Sequence, residues 1–293
     1  MHNTQMKRIA RCGSAALLVS ALSSASHAAG PAFSRLFAEA NGADTAYFSA
    51  AGMTRLKASE LSAQAILGQS FAEFEVDESL TTTDGGNPRD ADPVIVPALY
   101  YVRPLGEDWR LGLTLNVPSG FGAGNGPNWA GRYYSDQFDL VFVNASATLA
   151  YPVTDWLSLG GGVSVIASTA ESTVQVNNPG PDEPDAKLET EAEGVGVGFI
   201  ASALLEFSPN TRLAFNWHSE SEPDEDTEVD LKRSTLPPAL VDAINQQGDN
   251  IDATIRLPQR IELGLFHEFA NGWSATLDTI WVEFSRFGLT ELN

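Results

Sequence analysis

Residues 138–166 restrict the fold more than any other stretch of the chain. Val141, Val143, Ala145, Ala147, Leu149 and Tyr151 share one face of an extended backbone, and Asn144, Ser146 and Thr148 share the other. Pro152-Val153-Thr154-Asp155 breaks the run. Leu157, Leu159, Val163 and Val165 then alternate with Ser158, Gly160, Gly162 and Ser164. A period of two belongs to a strand with one apolar and one polar face. Strands of soluble sheets are mostly ~5–6 residues long. Two longer ones joined by so short a turn raise the question of strands that cross a membrane.

The same period recurs along the chain. Segments 60–68, 94–103, 109–117, 195–207, 211–218, 261–269 and 273–287 read as strands, the last least cleanly, and the central hairpin brings the number to nine. The connections 105–108, 152–155, 208–210 and 270–272 are tight, whereas 75–92, 119–137, 178–190 and 219–250 are long. Outer-membrane barrels have short periplasmic turns and long extracellular loops. Tyr100, Tyr101, Trp109, Tyr151, Trp156, Phe207, Phe269 and Trp273 cluster beside the short turns, as an interfacial aromatic girdle requires. No run of ~18 apolar residues could cross as a helix. The expected fold is all-β, a transmembrane antiparallel up-and-down β-barrel over 57–293. A soluble sandwich would not segregate its connection lengths so regularly. An odd strand count conflicts with single-chain bacterial barrels, which use even numbers. The expectation is a barrel truncated at its C-terminal end, the other reading being one overlooked strand.

The first 29 residues read as a cleaved signal peptide: Lys7, Arg8 and Arg11 precede the apolar core 15–22, and Ser26-His27-Ala28 supplies small residues before the cleavage point. Cys12, the only cysteine, lies ahead of that core, so the mature chain is expected to hold no disulfide. A net charge of −21 argues against nucleic acid as a partner. Residues 30–56 lack alternation and are rich in alanine and glycine, a compact irregular or short-helical segment.

Several of these stretches resemble the FadL family of outer-membrane transporters for long-chain fatty acids and other hydrophobic compounds. Ala43-Asp44-Thr45-Ala46-Tyr47-Phe48-Ser49-Ala50-Ala51-Gly52-Met53-Thr54-Arg55-Leu56 is similar to the end of that family's N-terminal hatch. Gly126-Pro127-Asn128-Trp129-Ala130-Gly131-Arg132-Tyr133 is similar to its W-x-G-R-Y loop segment. Leu157-Ser158-Leu159-Gly160-Gly161-Gly162-Val163, Leu257-Pro258 and Trp281-Val282-Glu283-Phe284-Ser285-Arg286-Phe287 match further stretches. The resemblance implies about nine strands of a 14-stranded barrel, a plug formed by 30–56, and passive uptake of a hydrophobic compound with lateral release into lipid. The family hatch usually carries Asn-Pro where this chain has Ser49-Ala50, so gating at that point is an open expectation. A structural or adhesive barrel with ligand-binding loops is the alternative.

Candidate site residues follow from both readings. Phe121, Trp129, Tyr133 and Tyr134 are aromatics on the loop 119–137, suited either to capturing an apolar ligand or to a loop mini-core. Arg132 could meet a carboxylate headgroup or bridge loop acids such as Asp136. Leu240 and Ile244 lie on the apolar face of a helix expected over 236–247, opened by Pro237 and Pro238. Pro118 and Gly120 mark either a bulge suited to lateral opening or the end of the third strand. Phe33 is a candidate for reaching the internal pocket. The acidic run 220–230 reads as a solvated extracellular loop. No catalytic motif, metal-ligand spacing or cofactor motif is present in the sequence. The expected partners are a hydrophobic small molecule and outer-membrane lipid, with the chain a monomer.

Overall fold

The computed structural model describes residues 37–68, 75–77, 83–89, 93–178, 184–232, 236–239, 241–242, 255–283, 285 and 288–289. A short helix α1 (Thr45–Phe48) and a 3-10 turn (Ala50–Arg55) come first. The strands are β1 (Glu60–Gly68), β2 (Val94–Leu105), β3 (Trp109–Gly124), β4 (Gln137–Thr154), β5 (Leu157–Val176), β6 (Ala186–Ser208), β7 (Thr211–His218), β8 (Asp224–Lys232), β9 (Ile255–Arg256), β10 (Arg260–Glu268), β11 (Ser274–Val282) and β12 (Gly288–Leu289). β1 to β7, then β10 and β11, pair in that order as an antiparallel up-and-down sheet, and β8 pairs with β6 off this path. The nine strands on the path are those read from the alternation.

No helix among the described residues is long and apolar enough to cross a membrane. The outward face of the sheet supplies the apolar surface. Val141, Val143, Leu149, Leu159, Val163, Val165, Val195, Val197 and Phe199 are all exposed there. From Leu157 to Ala167 the outward residues of β5 are apolar or glycine. At about 3.3 Å per residue and a tilt of roughly 40°, that stretch rises about 25 Å, the height of the apolar band of an outer-membrane barrel. Trp109, Tyr151, Trp156, Phe207, Phe269 and Trp273 are exposed beside the short turns and form the girdle, with Trp109 and Tyr151 in tilted contact at 4.9 Å between centroids. Tyr100 is not part of it. Successive strand residues face opposite ways, and Tyr100 points inward, 1% exposed, against Phe48.

Two further expectations are corrected. β3, β5 and β6 run beyond the segments with clear alternation, because above the apolar band the outward face turns polar and the sequence period weakens while the ladder continues. The acidic run is not all loop: Asp224–Lys232 forms β8, with Glu189 opposite Asp230, Glu191 opposite Glu228 and Glu193 opposite Asp226. Asp139, Glu171, Glu191 and Glu228 thus stand in one cross-strand row over β4, β5, β6 and β8. Like charges in register destabilise a sheet, so this row stays in solvent.

Residues 37–56 pack inside the curl of the sheet. Phe37, Ala43, Ala46, Ala50, Ala51 and Met53 join Tyr100, Val102, Ile200, Leu204, Ala214 and Phe266 in one buried cluster. Small side chains let this segment lie flush on the strands. A Cβ on Gly160 would come within 2.5 Å of the Ala51 nitrogen, and one on Gly112 within 2.5 Å of Met53 Sδ.

Candidate functional site

The inserted segment is held by polar groups on the inward face of the strands. Thr148 Oγ1 donates to the Ala46 carbonyl at 2.9 Å, and Ser202 Oγ accepts from the Ala51 amide at 3.0 Å. Arg110 Nε caps the Leu56 carbonyl at 2.7 Å. Arg212 reaches Ala38 O at 2.9 Å and Glu39 O at 3.1 Å. Arg55 pairs with Glu206. Thr148, Ser202, Arg110 and Arg212 each satisfy a backbone donor or acceptor that the irregular segment would otherwise leave unpaired. Ser49 and Ala50 sit at the break between α1 and the 3-10 turn, both buried. The Asp44 carboxyl is pushed above its ordinary range by burial, with the nearby Glu60 carboxylate adding to the shift. Glu39 is raised too, again by burial first.

Next to α1, and farther from the short turns, lies a cavity of about 210 Å³. Tyr47 forms part of its floor, and Pro118, Ile166, Leu257, Pro258 and Val282 supply most of its apolar wall. Its polar edge is a buried cluster. Arg260 Nε lies 3.0 Å from Glu262 Oε1, the Arg260 guanidinium stands 4.9 Å over the Tyr47 ring, and its Nη2 is 3.3 Å from His218 Nε2. Glu262 Oε2 is 3.9 Å from the same His218 nitrogen. Sequence reasoning missed Arg260 and Glu262. The signal was present, because residues two apart on a strand share a face. The register that sets Arg260 opposite His218 was not.

Pro118 borders the cavity at a bulge. Asn116 pairs with Asn144, but Ser119 pairs with Phe142, so β3 carries one extra residue there. Proline cannot donate to a ladder, and a bulge absorbs the gap. The strand does not end at Pro118 and Gly120. It resumes and runs to Gly124.

The loop candidates lie apart from this cavity. Trp129, Arg132 and Tyr133 are brought together in a clasp of three chain segments. Trp129 Nε1 donates to Ser135 O at 2.7 Å, and its ring covers Gly131, where a side chain would collide with it. Arg132 is buried, with Nη2 2.6 Å from Asp84 Oδ1 and Nε 3.0 Å from Asp185 Oδ2. Tyr133 Oη donates to the same Asp185 oxygen at 2.9 Å. Arg132 therefore bridges loop acids, Asp84 and Asp185 rather than Asp136. The Arg132 hydrogen bond holds the Asp84 carboxyl below its ordinary range. Phe121 lies on β3 opposite Leu140. Val241 N donates to Pro237 O at 3.2 Å, a helical turn where one was expected. Phe33, Leu240 and Ile244 lie outside the described residues.

An antiparallel meander with a lipid-facing apolar band, an inserted segment and a cavity against that segment defines a membrane β-barrel with an occupied lumen. The chain belongs to the outer membrane protein transport protein family (OMPP1/FadL/TodX), whose model matches residues 8–291. It is 25% identical to outer membrane protein P1 of Haemophilus influenzae over 226 residues, 68% of this chain and 47% of that protein. It is 21% identical to a long-chain fatty acid transport protein of Escherichia coli over 236 residues, 70% of this chain and 52% of that protein. The chain thus spans about half the length of these curated relatives. Its fold is similar to that of a Pseudomonas aeruginosa FadL homologue, with a TM-score of 0.62, 19% identity, and 82% of this chain and 64% of that one covered. It is also similar to the toluene transporter TodX of Pseudomonas putida, with a TM-score of 0.51, 15% identity, and 82% and 65% covered.

Proposed function

We propose that this chain forms the part of an outer-membrane transporter that takes up hydrophobic compounds, long-chain fatty acids or other apolar molecules, without an energy source. The observation that carries this reading is the cavity of about 210 Å³ bounded on one side by Tyr47 of the inserted segment and on another by the bulge at Pro118. An apolar molecule gains ~25 cal/mol per Å² of surface removed from water, enough to drive it into such a site. Residues 30–56 act as the plug beneath the cavity, residues 57–293 as the barrel, and residues 1–29 as the export signal. The bulge offers a lateral path: where the ladder is interrupted, the wall between lumen and lipid is weakest. Release into lipid keeps the ligand out of water throughout. Similarity to a long-chain fatty acid transport protein and to a toluene transporter supports the same class of ligand. The Trp129–Arg132–Tyr133 clasp organises the loops above the site rather than touching the ligand.

Filling the cavity tests this. A Cβ on Gly198 would meet Ile166 Cδ1 and Ser219 Oγ at 3.5 Å, ordinary contact, so the backbone accepts a side chain there. Gly198→Leu should keep the fold and cut uptake of labelled toluene by cells by roughly tenfold, the effect of about 1.4 kcal/mol of lost binding. Unchanged toluene uptake would remove the cavity from the transport path.

A further inference from the structure

We propose that Glu262 makes this cavity selective for uncharged hydrophobic ligands, because its carboxylate already meets the one guanidinium that a ligand carboxylate would need. The inference rests on reading the cavity as the ligand site. Among the described residues lining it, Arg260 is the only arginine or lysine. Its Nε lies 3.0 Å from Glu262 Oε1, and Glu262 is fully buried. The two residues stand two apart on β10, so both face inward, one beside the cavity and the next one step toward the plug. A carboxylate removed from water is costly unless a positive group faces it. Glu262 has that group, and the pair is neutral as a unit. A carboxylate ligand entering beside it would give up its hydration, gain no unmet cation, and approach a like charge. A neutral ligand meets none of these costs and covers Ile166, Leu257 and Val282.

The size of the site fits the same class. An apolar cavity of about 150 Å³ holds benzene, and this one is about 210 Å³. A single substituted ring fills it. Tyr47 lines the same cavity, and the Arg260 guanidinium already stands 4.9 Å over its ring.

The test uses the full chain in lipid nanodiscs, with toluene and 4-methylbenzoate as probes that differ in one carboxylate. Calorimetric titration of the unaltered protein should show toluene bound at least roughly tenfold tighter. Glu262→Gln leaves Arg260 without its counter-charge. That variant should gain 4-methylbenzoate affinity by about tenfold or more and change little toward toluene. Arg260→Gln with Glu262→Gln removes both charges and should not gain it. If Glu262→Gln lowers the yield of folded protein, 4-methylbenzoate added during refolding should restore it and toluene should not, because only the acid supplies the missing charge. Equal binding of the two probes by the unaltered protein, or a folded Glu262→Gln variant with no gain for the acid, overturns this inference and leaves the cavity as a ligand site. Rescue by both probes or by neither also overturns it. Binding of neither probe by any variant overturns the reading of the cavity itself.

Discussion

Single ionisable residues give the two ends of the molecule opposite responses to pH. Asp44 and Glu39, in the inserted segment, have carboxyls raised by burial. The folded state then holds their protons more tightly than the unfolded chain does. Their contribution is most favourable below the ordinary carboxylate range of about 4 and falls as pH rises through it to the raised value. Asp84 behaves oppositely. Arg132 lowers its carboxyl, so that contribution is present above about pH 4 and is lost as pH falls through the lowered value. Acid should seat the inserted segment more firmly while loosening the loop clasp. Asp44→Asn removes one of its two raised carboxyls. It should raise the thermal midpoint near pH 7 and flatten its decline between about pH 4 and pH 7, as followed by circular dichroism. An unchanged profile would mean that Asp44 is better hydrated than its position beside Glu60 implies.

At the scale of the element, the proposed lateral exit lies on β3. One extra residue between Asn116 and Ser119 interrupts its ladder with β4. Deleting Pro118 should restore a continuous register, since the pairs on either side differ by a single step. The barrel should still form, because β3 and β4 keep every other pair. Uptake of labelled toluene should drop by roughly tenfold, equivalent to about 1.4 kcal/mol on the rate-limiting passage. Wild-type uptake after the deletion would rule out this bulge as the exit. The alternation of Trp109 to Val117 was legible in the sequence, and Pro118 marked a local fault there. Whether that fault ended the strand or bent it depended on β4, which continues to pair beyond it.

For the whole molecule, the outward apolar band is the requirement that all strands meet together. Val163 sits near its middle, between the girdle at Trp156 and the acidic row at Glu171. An arginine at the bilayer midplane costs a barrel ~2–4 kcal/mol. Val163→Arg should destabilise the protein by about that amount in reversible folding into lipid vesicles. The same change in the solvated extension of β5, at Thr169 or beyond, should cost far less.

The period of two, the short turns and the girdle aromatics are local properties of the chain. They determined the nine strands of the main sheet and its membrane-facing surface, because each depends only on neighbouring residues. Tyr100 and Tyr101 show the limit: the alternation said that they point opposite ways, and the buried cluster decided which one faced the plug. Trp129, Arg132 and Tyr133 were visible as a cluster, but their partners Asp84 and Asp185 lie 48 and 53 residues from Arg132. Arg260 and His218 are separated by 42 residues and meet because β7 and β10 pair in one register. A charge in a strand reads as a polar-face residue until its cross-strand neighbour is known. Pairing between distant strands and packing around the plug decided where a ligand can sit, since both depend on contacts that no local pattern encodes.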